Sequence, residues 1–171
     1  IEASNNKTIT CGIAWDFFDK AIDLDVTIVA VDNYSLELDS AYYNQLSILN
    51  GAIIHSGDNK TGVGDGDDEQ ITIKLSDLSV NVYSMWFIVN AYSGGNFTDV
   101  ETAQFTLYDQ DNRSIHSSQI TMKGLNNTAL LIGAIFRDVN EIDWRYKKIE
   151  KAGNGLNFVE SRYLVENELN K

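Results

Sequence analysis

Apolar and polar residues alternate with a period near two through most of the chain. That is the period of β-strands, whose successive side chains point to opposite faces. Thr8–Trp15 reads as a first strand, and Asp23–Val31 (DLDVTIVAV) as a strong one. The latter is β-branched and too apolar on both faces to be exposed. Ala52–His55 is a short strand. In Gln70–Leu75, Ile71, Ile73 and Leu75 face one way and Thr72 and Lys74 the other. Asn81–Tyr92 is apolar and central, and Thr102–Asp109, Ser117–Met122, Leu130–Arg137 and Asp143–Ile149 complete the set. Asp39–Asn50 fits helix and loop equally. Only after Asn154 and Gly155 does the period lengthen: Phe158, Val159, Tyr163, Val165 and Leu169 follow helical spacing.

Many short strands at regular spacing, closed by one helix, predict an all-β protein: a β-sandwich of two mostly antiparallel sheets with a short C-terminal helix. At 171 residues a single domain over 1–171 is expected. A chain of this length buries roughly 70% of its unfolded surface.

The alternation breaks between His55 and Glu69, HSGDNKTGVGDGDDE, where fifteen residues hold four glycines and five carboxylates. The five carboxylates, Asp58, Asp65, Asp67, Asp68 and Glu69, meet one cation, Lys60, for a local charge of −4. Gathering them in a small volume is unfavourable unless a cation joins them. Glycines let the backbone turn carbonyls inward, and such hard oxygen donors suit Ca²⁺, which takes six to eight oxygens at about 2.3–2.6 Å. Asp58 to Glu69 has the length of an EF-hand loop, but Lys60 and Gly62 stand where oxygen ligands belong, and a strand follows instead of a helix. Asp23 and Asp25 share one face of their strand, and two buried carboxylates there would need a partner. Glu69 has the parity of Ile71 and should point inward.

A solvated Asp-Gly hairpin turn is the plain alternative for this stretch. On the metal reading the expected ligands are side-chain oxygens from Asp23, Asp25, Asp58, Asp65, Asp67 and Glu69, with backbone carbonyls from Asn59, Gly62 and Gly64. Asp68, opposite in parity to Asp67, is the weakest member. His55 has no second histidine near it and reads as structural or surface, not as a ligand. Cys11 reads as a small buried strand residue.

The net charge of −12 argues against nucleic acid or an anionic membrane as a partner. No apolar run is long enough to insert in a membrane and no leader is visible, so a cytoplasmic location is expected. The start at Ile1, without Met, points to a processed chain or a piece of a longer one. No nucleophile elbow or histidine pairing is present, so no enzyme activity is expected.

Four stretches carry a family resemblance. GDNKTGVGDGDDEQITIKL resembles the signature of the tellurite-resistance TerD-type domains. CGIAWDFFDKAIDLDVTIVAVD is similar to that family's Trp-Asp segment and Asp-x-Asp strand, with Ala14 in place of the usual glycine before Trp15. LNGAIIHSGDN is similar to its strand entering the acidic loop, and TALLIGAIFRDVNEIDWRY to its late hairpin. The resemblance spans roughly residues 11–156. It implies a Ca²⁺-binding β-sandwich holding two ions, with a role in tellurite or chemical stress as a binding or scaffolding module for protein partners not identified by sequence. The alternative expectation is a Ca²⁺-dependent carbohydrate-binding or adhesive sandwich. That would need exposed aromatics near the loop, for which Tyr42, Tyr43, Trp86 and Trp144 are candidates. A metal-dependent phosphoesterase is a third reading.

Overall fold

The computed structural model describes residues 7–18, 22–57, 67–93, 95–120, 126–138 and 143–171. Eleven strands are formed among the described residues: β1 (Thr8–Phe17), β2 (Asp23–Val31), β3 (Glu37–Ala41), β4 (Ser47–Ile48), β5 (Ile53–His55), β6 (Glu69–Lys74), β7 (Ser84–Ser93), β8 (Val100–Tyr108), β9 (Ser114–Gln119), β10 (Ala129–Arg137) and β11 (Trp144–Gly153). Two short helices follow, α1 (Phe158–Ser161) and α2 (Tyr163–Leu169). A six-stranded sheet runs in the order β4-β5-β6-β1-β8-β9 and a five-stranded sheet in the order β11-β10-β7-β2-β3. Every named pair of strands is antiparallel. The expected fold class is the observed one.

Alternation builds the interior. Ile9, Cys11, Ile13 and Trp15 of β1 and Ile71 and Ile73 of β6 meet Leu24, Val26 and Ile28 of β2 and Phe87 and Val89 of β7 between the sheets. Full burial of each large side chain contributes about 1.5–3 kcal/mol. β2 is buried along its whole length because both its faces are covered. Its other face, with Val29 and Val31, packs beneath Phe158, Leu164 and Val165 of the C-terminal helices, together with Trp86 and Ile88 of β7. This second layer explains why Asp23–Val31 lacks the simple alternation of a half-exposed strand.

The stretch that fitted helix and loop equally is neither alone. It holds the end of β3, all of β4 and the start of a single 3₁₀ turn at Leu49–Gly51. The C-terminal helical span divides at Arg162, and the Asn157 side chain caps α1 by accepting from Glu160 N–H at 3.0 Å. β11 closes one edge of the five-stranded sheet and exposes Arg145, Lys147, Lys148 and Lys151.

Candidate metal centre

β2 starts with two aspartates, and the fold buries both. Asp23 and Asp25 are each only 5% exposed. Asp25 stands opposite Asn90 of β7 in the strand register. The Asn90 amide donates to Gly155 O at 2.8 Å and Ser161 Oγ at 3.0 Å, so this face is tied down by the chain before α1. Tyr43 and Tyr92 lie beside it with ring centroids 5.7 Å apart. Burial first, then Tyr92, then the charge of Asp25, push the Tyr43 phenol above its ordinary range. Asp25 is thus close enough for its charge to be felt at Tyr43.

Glu69 opens β6 and, as its parity with Ile71 requires, points between the sheets at 1% exposure. Its Oε2 accepts the backbone N–H of Val26 at 2.9 Å. The residue next to Asp25 is therefore held by the last carboxylate of the acidic stretch. His55, at the end of β5 and 2% exposed, meets the same residue: Nε2 lies 3.0 Å from Val26 O. Gly57 N–H donates to His55 Nδ1 at 2.9 Å. A backbone N–H can only donate, so Nδ1 carries no proton and Nε2–H is the donor to Val26 O. The ring is neutral, and its 3.9 Å approach to Glu69 Oε2 is not an ion pair.

The two preceding carboxylates go elsewhere. Asp68 serves β1: its Oδ2 accepts Trp15 N–H at 2.8 Å while its own N–H donates to Ile13 O at 2.8 Å. Burial raises its pKa, and the Trp15 N–H partly offsets that rise. The Trp15 indole in turn donates to Ile22 O at 3.1 Å, joining β1 to the approach to β2. Asp67 turns to the outer face of the six-stranded sheet. Its carboxylate lies against the Cα of Gly12, where a Cβ would sit 2.2 Å from Oδ2. It accepts from Gln70 Nε2 at 3.1 Å and is hydrogen-bonded to Tyr108.

Of the expected ligands, Asp23 and Asp25 are buried at the start of β2 and Glu69 reaches the backbone of Val26 beside them from between the sheets, whereas Asp67 and Asp68 are directed to β1. Asp58, Asn59, Gly62, Gly64 and Asp65 lie outside the described residues. Among the described residues, no group of three or more His, Cys, Asp or Glu is arranged to hold a metal ion. The donor chemistry still selects among ions. Both His55 ring nitrogens are engaged, and Cys11 is buried as a thiol whose pKa desolvation pushes far up. The groups at the start of β2 are carboxylate oxygens, which suits Ca²⁺ and not the Cys/His sets of structural zinc.

Sequence reasoning read His55 as structural or surface and gave it no partner; the structure buries it, and Gly12, Tyr108 and Asn90 were missed. The one usable signal was Gly12, a glycine inside a strand, which marks a close approach by another group. Among the aromatic candidates, Trp86 and Trp144 are core residues at 3% and 1% exposure, while Tyr42 and Tyr43 form an edge-to-face pair near Tyr92.

The chain matches known proteins over most of its length. The family model described as the TerD domain matches residues 1–163. The chain is 33% identical to tellurium resistance protein TerZ of Serratia marcescens, covering 90% of this chain and 84% of that protein. It is 28% identical to general stress protein 16U of Bacillus subtilis, over 86% and 81% of the two chains. In three dimensions it is similar to a homologue of telluride resistance protein TerD from Streptomyces coelicolor, with a TM-score of 0.72, 18% identity and coverage of 88% and 92%. The matched span includes the Asp-x-Asp strand, the acidic stretch and the late hairpin that suggested the resemblance, and the chain belongs to the TerD domain family.

Proposed function

We propose that the protein is a calcium-binding module of the tellurium and chemical stress response, acting by metal-stabilised binding or scaffolding and not by catalysis. The stress role is supported by the relatives' names, tellurium resistance proteins TerZ and TerD of Serratia marcescens and general stress protein 16U of Bacillus subtilis. Calcium is supported by one observation above others: Asp23 and Asp25 are 95% buried at the start of β2, and the next residue, Val26, is bonded by Glu69. Buried carboxylates are costly without a countercharge. Asp23 and Asp25 would hold the ion with oxygens from the acidic stretch, Asp58 and Asp65 foremost. The ion would neutralise the clustered charge there. Two ions are proposed, as the family resemblance implies.

Native mass spectrometry with and without EDTA, followed by calorimetric titration, tests this reading. Two bound Ca²⁺ per chain, lost to EDTA, are expected. A chain that binds no Ca²⁺ at millimolar concentration would overturn it.

A Ca²⁺-dependent carbohydrate module is the second reading. The observation favouring it is the Tyr42–Tyr43–Tyr92 group beside Asp25, with Tyr92 43% exposed. Calcium-dependent quenching of tyrosine fluorescence by sugars would support it, and no change across a panel of neutral and acidic sugars would remove it.

A further inference from the structure

β3 pairs with β2 no further than Ile28. Two residues beyond, Val26 is buried, and both its backbone groups must still find partners, because a buried N–H or C=O left alone costs about as much as a lost hydrogen bond. Glu69 Oε2 takes the N–H and His55 Nε2–H bonds the C=O. One acceptor and one donor on the same residue are what a hydrogen-bonded antiparallel neighbour would offer. The two side chains come from β6 and β5 of the opposite sheet, so the bonds also join the two layers.

Their places in the chain give the arrangement a second consequence. His55 ends the strand entering the acidic loop, and its Nδ1 also receives Gly57 N–H. Glu69 starts the strand leaving the loop. Both ends of the loop are therefore fastened to one residue, the neighbour of Asp25. We propose that His55 and Glu69 form a clasp that takes the place of a neighbouring strand at Val26, where none pairs among the described residues, and that by fixing the two strand ends that flank the acidic stretch it sets the calcium affinity. His55 is a positioning residue in this scheme, since neither ring nitrogen is open to an ion. Glu69 positions through Oε2. The clasp holds with or without metal; its effect on ion binding rests on the calcium reading above.

Amide hydrogen exchange at Val26, followed by NMR in EDTA and in calcium chloride, reads the clasp directly. His55→Gln keeps an N–H donor near the Nε2 position, whereas the shorter His55→Asn amide does not reach Val26. Glu69→Gln keeps an acceptor and removes the charge, and Glu69→Ala removes both. In EDTA, His55→Asn and Glu69→Ala are expected to speed Val26 exchange about tenfold or more, while His55→Gln and Glu69→Gln stay near wild type. In calcium titrations His55→Asn should weaken binding by about tenfold and His55→Gln should restore most of it, although neither change touches a ligand oxygen. If Glu69→Ala does not fold, the two His55 variants still decide. Equal Val26 exchange in His55→Asn, His55→Gln and wild type would overturn the clasp. Faster exchange in His55→Asn with unchanged calcium affinity would overturn the positioning role. A wild-type chain that binds no calcium would remove the calcium reading, and Val26 exchange would still test the clasp.

Discussion

The two halves of β2 are held by different physics. From Ile28 to Val31 the strand is paired on both sides, by β3 and β7, and packed on both faces by apolar side chains. From Asp23 to Val26 it is paired, among the described residues, by β7 alone, carries two buried carboxylates, and has Val26 bonded by Glu69 and His55 at its other edge. The first half owes its stability to close packing and is indifferent to ions. The second buries two carboxylates, and on the calcium reading its stability should depend on the ion.

The largest expected effect lies in the packed half. Phe87, fully buried and 5.2 Å from the Phe105 ring, spans the interior between the sheets. Phe87→Ala should cost about 3–5 kcal/mol in urea unfolding, and by the same amount in EDTA as in calcium. A loss that depended on calcium would break the distinction between the halves. Calcium itself comes next. An ion that binds only the native chain should stabilise it by about 2.7 kcal/mol per site at a hundredfold excess over Kd. EDTA should lower the melting temperature by the corresponding amount and leave the β-sheet circular dichroism intact at low temperature. Equal melting temperatures with and without the ion would remove the special status of the Asp23–Val26 half.

Asp25→Asn sharpens the comparison. In saturating calcium it should destabilise by about 1–2 kcal/mol, and by less in EDTA, where no bound ion is lost with the charge. The same change at Asp67, seated over Gly12 beside Tyr108, should show the weaker calcium dependence of the two.

Asp68 supplies a pH signature. Burial raises its folded pKa above the unfolded value, near 3.9. Between the two values the folded chain holds more of this proton than the unfolded chain does, so this group makes stability fall as pH rises through that interval. In metal-free protein Asp68→Asn should flatten the slope of unfolding free energy against pH just above pH 4. The smallest effect belongs to the surface. Glu168 lies 2.7 Å from Lys151 Nζ and 2.9 Å from Lys171 Nζ, and these partners lower its pKa. Glu168→Gln should cost less than about 1 kcal/mol, and less still in 1 M salt.

The sandwich was legible because strands write their period into the chain: β2 was read with its observed limits, and the inward turn of Glu69 followed from its parity with Ile71. Asp39–Asn50 was not legible because its strands are too short to establish a period. The tie from His55 to Val26 depends on where β3 stops pairing, a fact of tertiary structure that no local pattern carries. Asp67 was expected beside Glu69 by proximity in sequence. Its seat depends instead on the bare Cα of Gly12 and the hydroxyl of Tyr108, brought together by the pairing of β1 with β6 and β8.

β11, with Arg145, Lys147, Lys148 and Lys151 exposed in one strand, governs how the molecule behaves in a crowd of its own kind. An open sheet edge is a template on which another chain can add a strand. Two copies approaching through β11 would set cation against cation, and like charges opposite one another destabilise a strand pair. Over the whole chain a net charge of −12 keeps molecules apart through general repulsion. Calcium uptake would weaken that repulsion, but the basic edge would keep its charge. Growth of the five-stranded sheet from one molecule into the next is therefore disfavoured at β11, though less than four bare cations would make it, because Arg145, Lys148 and Lys151 already meet Asp138, Glu150 and Glu168.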